Sequence, residues 1–337
     1  RYCFNQDRLT LLGINQEGSI GKFSISPSGG LIDNGNNTAY LIPSEIVSGK
    51  HTVTYEYTIS GQPDYATRDF NFEEVIADFT WDHECFTSPS LIKLTAQTNS
   101  VDLDSNKWQV VFSDHLFVTD TSELDIEFEY LDSYPIEYVA ISKNGCSDTA
   151  RHELVLKPTY PIYETPYFED FTDGESDWEK MKQSADSPQS WTYGTPTGNT
   201  FFAPYEKAWY TDIEVLHAKE KSYVISPCFD FSKAERPLIK MDIWQDFAFN
   251  VDGAVLEYQT NENKEWHLVG AVGEGDNWFN SGTISGAPGR DGIGWTAANP
   301  ENNWQKAKQK LDYLPKDEGL IRFRVAYGAP SVLEADA

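Results

Sequence analysis

The chain has 337 residues, of which 14% are aromatic and 39% are hydrophobic. This length suits two or three domains, and the apolar content excludes a chain that is disordered throughout. The formal net charge of −27 disfavours nucleic acid as a partner. No apolar run reaches the roughly 18 residues that a membrane-spanning helix needs.

Before residue 157 the sequence repeats itself. Cys3-Phe4 and Cys85-Phe86 each precede a polar spacer and an apolar run. Residues 50–60 and 135–142 then alternate apolar and polar side chains, as half-buried strands do. Each of these runs is followed by a turn and a closing strand. The repeat therefore predicts two copies of one β-sandwich module of roughly 75–85 residues.

Four cysteines are present, and no two of them have the CxxC spacing of zinc or redox sites. Cys85 and Cys146 bracket the second module, where flanking strands of a sandwich lie side by side. We expect a disulfide between them, which closes a loop of about 61 residues and stabilises the module by about 4 kcal/mol. The alternative is two buried free thiols. Cys3 and Cys228 are expected to have no partner within the chain.

The sequence changes character after residues 157–162, where two prolines predict an extended linker. Strand-like runs follow, separated by long loops rich in Gly, Asn and Pro, without a sustained helical period. This pattern predicts a jelly-roll-like β-sandwich. Eight of the ten tryptophans lie in this part, namely Trp178, Trp191, Trp209, Trp244, Trp266, Trp278, Trp295 and Trp304.

The second module resembles a PKD domain, an immunoglobulin-like sandwich, through residues 77–81 and 144–150. The first module resembles the related Ig-like repeats of large secreted proteins of the Bacteroidota, but lacks a counterpart of residues 77–81. The expected fold is all-β, with two Ig-like (PKD-like) sandwiches before a jelly roll. The expected domains are an Ig-like repeat without its opening strand at 1–74, a PKD-like sandwich at 75–157, a linker at 158–162 and a jelly roll at 163–337.

The third domain contains short motifs at residues 167–171, 190–191, 222–227, 252–258, 294–295 and 321–324. Through these motifs it resembles the cleaved-adhesin and MAM-like jelly rolls of secreted bacterial proteins. That family ends in a strand with a Phe-Asp pair, which is missing here, so we expect this domain to be incomplete. The resemblance implies a structural calcium ion near the Phe-Glu strand, with Glu169, Asp170 and Asp252 as ligands. The alternative is that these side chains are ordinary surface carboxylates without a bound ion.

Residues 273–304 form a long aromatic loop, and such loops often carry function. One hypothesis makes Trp278 and Trp295 an exposed platform on which sugars stack. The alternative is that these rings fill the ends of the sandwich, where glycine lets the backbone approach closely.

No motif in the sequence indicates catalysis. The serine of residues 282–286 lies one place late for a nucleophile elbow, and no two histidines have the spacing of a zincin helix. We therefore expect a chain that is not an enzyme.

The order of modules resembles gliding-motility adhesins and cargo of the type IX secretion system of the Bacteroidota. This resemblance implies an extracellular, cell-surface location, an adhesive and structural role, and cell-surface proteins, secretion machinery or glycans as partners. One alternative function is a carbohydrate-binding accessory region of a secreted hydrolase. Another is an accessory subunit of a surface complex.

Overall fold

The computed structural model describes residues 1–14, 19–99, 103–110, 116–119, 121–196, 207–211, 218–298 and 303–330. These residues form β-strands and one short 3-10 helix, Pro43–Glu45. The all-β prediction is therefore confirmed, and no helix in the described ranges is long and apolar enough to cross a membrane.

The chain divides into two compact units. The first contains Arg1–Asp82, Leu91–Phe128 and Asp132–Val155, and the second contains His83–Ser90, Glu129–Leu131 and Leu156–Ala337. The division into three domains at the boundaries given above stays a prediction.

The first 74 residues form a sheet of four strands and a sheet of three strands that share one core. The strands are β1 (Tyr2–Cys3), β2 (Leu9–Leu12), β3 (Lys22–Ser26), β4 (Leu31–Asp33), β5 (Thr38–Leu41), β6 (Gly49–Ile59) and β7 (Gln62–Glu73). Their orders are β1-β7-β6-β3 and β2-β5-β4. Alternation on β6 turns His51, Val53 and Tyr55 inward. Phe23 packs on Tyr55 in this core, with 4.7 Å between the ring centroids.

The second repeat builds a similar pair of sheets. Its segment contains β8 (Ala77–Trp81), β9 (Cys85–Phe86), β10 (Ser90–Thr98), β11 (Leu103–Val110), β12 (Leu116–Thr119), β13 (Glu123–Phe128), β14 (Ser133–Ser142) and β15 (Ser147–Val155). The sheet orders are β13-β10-β8 and β12-β11-β14-β15. Trp108 is fully buried, and its ring lies 4.4 Å from that of Tyr138 and 5.3 Å from that of Phe79. These rings fill the space between the two sheets.

The second unit is built on one large sheet and two ribbons. Its further strands are β16 (Lys157–Pro161), β17 (Glu179–Lys182), β18 (Thr192–Gly194), β19 (Ala208–Tyr210), β20 (Lys221–Asp230), β21 (Leu238–Ile243), β22 (Gly253–Thr260), β23 (His267–Leu268), β24 (Gln305–Lys310) and β25 (Ile321–Gly328). The large sheet has the order β23-β22-β25-β20-β16-β9, and β17 pairs with β20. The ribbons are β18-β19 and β21-β24.

The predicted linker is a strand of the large sheet. Lys157 and Pro158 pair in parallel with β9, and Thr159 to Pro161 pair in parallel with β20. The prolines do favour extended backbone, as predicted. That extended backbone is held in a sheet by its neighbours, so it does not serve as a spacer.

The predicted disulfide between Cys85 and Cys146 is wrong. Cys3 bonds to Cys146 with Cα atoms 5.3 Å apart, and Cys85 bonds to Cys228 with Cα atoms 5.7 Å apart. Cys85 and Cys228 meet because the strands that carry them, β9 and β20, both pair with β16. Cys146 instead lies in the turn between β14 and β15. Each bond joins cysteines 143 residues apart.

Candidate functional site

Trp278 and Trp295 belong to the core of the second unit. Their exposed fractions are 5% and 4%, and the two rings form a T-shaped contact with centroids 5.0 Å apart. The indole N–H of Trp278 donates to the Val269 carbonyl at 2.7 Å, and that of Trp295 donates to the Asn277 carbonyl at 3.1 Å. Buried rings with satisfied donors offer no face to a sugar. The predicted exposed platform is therefore wrong, because both rings lie in the hydrophobic core of this unit.

Glu169 and Asp170 partner the polar groups of their own turn. Glu169 accepts hydrogen bonds from the Phe171 amide at 2.6 Å and from the Ser176 hydroxyl. Asp170 accepts one from the Thr172 amide at 2.9 Å, and this bond lowers the pKa of the Asp170 carboxyl. The turn places Phe171 in the left-handed region, with φ of 58°. These contacts give both carboxylates a structural role in shaping the turn.

Asp252 belongs to a different, buried network. Its side chain is 1% exposed and accepts hydrogen bonds from the Ala248 amide at 2.8 Å and from the Tyr327 hydroxyl at 3.1 Å. Burial raises the pKa of the Asp252 carboxyl. Asp252 therefore anchors the loop before β22 to the end of β25.

The predicted calcium ligands do not come together. Across the ranges that the structure describes, no three His, Cys, Asp or Glu side chains converge as they would around a metal ion. Calcium takes six to eight oxygen ligands, and the carboxylates of Glu169, Asp170 and Asp252 already accept hydrogen bonds from protein groups. This ligand set does not fit the ion as predicted. Calcium as a structural cofactor stays a prediction.

A groove of about 290 Å³ lies beside the Cys3–Cys146 disulfide in the first unit. Glu73 and Asp148 line it. The Glu73 carboxylate accepts a hydrogen bond from the Asn144 amide, and Asp148 accepts one from the Ala77 amide. These acidic groups serve the packing of the unit.

The β21-β24 ribbon has one buried and one exposed face. Ile239, Met241 and Ala307 pack into the core of the second unit. The alternate residues face outward because side chains of a strand alternate between its two sides. We call the outward side the lysine face. It consists of Leu238, Lys240, Asp242, Lys306, Lys308 and Lys310.

Two tryptophans stand at one end of the lysine face. Trp244 directly follows β21 and Trp304 directly precedes β24, next to the paired residues Ile243 and Gln305. Alternation of extended backbone places both tryptophans on the side of the lysines. Their half-buried rings meet edge to face, with centroids 6.3 Å apart. The indole nitrogen of Trp304 is buried and has no hydrogen-bond partner.

The lysine face and the tryptophan pair combine the two kinds of group that a polar, extended ligand needs. Partly exposed indole rings offer apolar surface. Lysine ammonium groups offer three donors each on flexible stems. None of the sequence-based predictions included this site, although the alternation of Trp304, Lys306, Lys308 and Lys310 is visible in the sequence.

Comparisons with known proteins give distant similarities. No protein-family model matches the chain, and no curated protein is significantly similar to it. Among solved structures, a carbohydrate-binding module of the β-sandwich superfamily is 12% identical, with 77% of this chain and 92% of that chain covered and a TM-score of 0.26. A three-domain Ig segment of titin is 8% identical, with 67% and 89% covered and a TM-score of 0.25.

SGBP-B of the mixed-linkage glucan utilization locus of Bacteroides ovatus, solved in complex with a mixed-linkage heptasaccharide, is 9% identical. The match covers 97% of this chain and 94% of that chain, with a TM-score of 0.19. TM-scores of this size do not establish a common fold or function.

Proposed function

We propose that this chain is a non-catalytic, extracellular segment of a surface protein, in which Ig-like modules carry a domain that binds glycans. The observation that carries the proposal is the pair Trp244 and Trp304 at the end of the exposed lysine face. Two disulfides support an oxidising compartment, since such bonds persist outside the cytosol.

The chemistry of the tryptophan pair suits a sugar ring. A pyranose presents C–H groups on its faces and hydroxyls around its edge, so it is matched by an aromatic face flanked by polar groups.

The proposal places the chain in a cell-surface adhesive role. The Bacteroidota origin, the gliding-motility or type IX secretion context and partners in the secretion machinery belong to this proposal through the sequence resemblance. Attachment to a secreted hydrolase is the alternative, and the full-length gene separates the two. A neighbouring catalytic domain favours the hydrolase, and further repeats favour the adhesin.

A glycan array with purified protein tests the proposal. Trp244→Ala and Trp304→Ala are expected to lose binding that the unsubstituted chain shows. Phe249→Ala is the control, because Phe249 is an exposed aromatic residue of the same unit, 67% exposed, outside the lysine face. Trp→Phe variants at both positions retain an aromatic ring. Together with thermal melts of every variant, they distinguish loss of binding from loss of folding. The proposal fails if no glycan binds, or if binding survives both alanine substitutions.

A further inference from the structure

We propose that the lysine face selects anionic polysaccharides, that is, linear glycans bearing carboxylate or sulfate groups. This inference rests on the proposed glycan binding and adds the charge of the ligand.

The register places positive charges directly opposite each other. Lys240 pairs with Lys308, and like charges in such positions destabilise an antiparallel pair. Lys310 lies opposite Leu238, and Lys306 opposite Asp242. The ribbon therefore keeps an electrostatic repulsion that an anionic ligand would relieve.

The lysines of β24 form a row. Lys306, Lys308 and Lys310 alternate with inward residues, so neighbouring members of the row stand about 7 Å apart along the strand. The only ion pair on the row within the described residues joins Lys308 to Asp276 at 3.8 Å, with side chains 46% and 71% exposed. An exposed pair of this kind contributes little. The row is open to a ligand that carries repeated negative charges.

This local positive charge stands against the charge of the whole chain, which has 53 acidic and 26 basic residues. A broad polyanion such as duplex nucleic acid or an anionic bilayer would contact the acidic surface around the lysine face as well as the lysines, and would be repelled there. A single extended glycan would be narrow enough to contact the lysine face alone. At physiological salt its repulsion by the surrounding acidic groups is screened over about 8 Å. The tryptophan pair at the end of the row gives such a chain a ring-stacking position.

Calorimetric titration with polygalacturonate and with its fully methyl-esterified form tests the inference, because the two share one backbone and differ in charge. We expect the charged form to bind more tightly, and added salt to weaken it. The double variant Lys240→Gln/Lys308→Gln is expected to bind the charged form about tenfold more weakly, which corresponds to 1.4 kcal/mol. The control Lys50→Gln/Lys93→Gln removes the same charge from exposed lysines of the first unit and should bind as the unsubstituted chain.

Equal binding of both forms, or an unchanged affinity in the Lys240→Gln/Lys308→Gln variant, overturns the charge selection and leaves glycan binding in place. If polygalacturonate does not bind but uncharged glycans on the array do, charge selection is likewise overturned and glycan binding stays in place. Tighter binding to duplex DNA or to phosphatidylglycerol vesicles than to polygalacturonate also overturns it. If no glycan of either kind binds, the proposed function itself fails.

Discussion

Arg324 donates a hydrogen bond of 2.7 Å from its Nε to Glu257 Oε2, and the two side chains are only 11% and 3% exposed. The guanidinium also lies 4.9 Å from the ring centroid of Tyr223 and 4.4 Å from that of Trp266. Neighbouring strands β22 and β25 position the pair, since Glu257 and Arg324 are register partners. The large sheet therefore contains a desolvated ion pair clamped by two aromatic rings.

Arg324→Met is expected to destabilise the protein by about 3–5 kcal/mol, because it leaves the Glu257 carboxylate buried without a partner. Urea unfolding measures the change. Replacing both residues, as Arg324→Met/Glu257→Leu, should restore part of the loss. Lys50→Met is the control, because the Lys50–Asp69 pair has side chains 68% and 54% exposed and contributes about 0–1 kcal/mol. Equal losses in the two single variants would contradict this interpretation of the buried pair.

The two disulfides should differ in their accessibility to reductant. Cys3 is 9% exposed and lines the open groove, whereas Cys85 and Cys228 are fully buried. Under limiting phosphine without denaturant, Cys3–Cys146 is expected to be reduced first, since access governs the exchange. Differential alkylation followed by peptide mass mapping identifies the reduced bond. The same treatment in denaturant, where access is equal, is the control, and earlier loss of Cys85–Cys228 in the folded protein would refute the prediction.

Asp252→Asn should be tolerated at neutral pH and should alter the pH dependence of stability. Burial raises the pKa of the Asp252 carboxyl above that of the unfolded chain. As the pH falls, Asp252 therefore takes up its proton in the folded protein at a higher pH than in the unfolded chain. This uptake increases the free energy of unfolding as the pH falls through the folded pKa towards about 4.

The variant lacks this titration, so its stability relative to the unsubstituted protein is greatest at neutral pH and declines in acid. Thermal melts across this pH range measure the difference, and Asp170→Asn is a comparison with the opposite pKa direction. If the stability of Asp252→Asn relative to the unsubstituted protein instead rises as the pH falls, the predicted sign is wrong.

Local patterns in the sequence were enough to predict the strands. Residues 50–60 and 135–142 correspond to β6 and β14, because alternation of apolar side chains depends on neighbouring residues of one strand. The step Cys85-Phe86 likewise forms a short strand. The all-β fold follows from such local rules.

Pairing between distant segments could not be predicted in this way. The partner of Cys85 is decided by β16, which pairs with both β9 and β20, and no local pattern specifies these parallel contacts. The exposure of the tryptophans could not be predicted from the local sequence either. Trp278 and Trp304 lie in the same tryptophan-rich region, yet Trp278 is 5% exposed and Trp304 is half-buried at the end of the ribbon. Burial depends on which strands cover a residue. The alternating lysines of β24 form a positively charged face only once the register with β21 is known.

The order of the bridged cysteines along the chain has a mechanical consequence. Position 85 lies inside the loop closed by Cys3–Cys146, and position 146 lies inside the loop closed by Cys85–Cys228. The shortest covalent route from Cys3 to Cys228 thus crosses both sulfur bridges and only the stretch between positions 85 and 146. A pulled backbone spans at most about 3.5 Å per residue, so the unfolded segment from Cys3 to Cys228 would reach roughly 200 Å with both bridges intact, against roughly 800 Å without them. Pulling that unfolds this region would therefore extend it to only roughly a quarter of the length that an unbridged chain reaches.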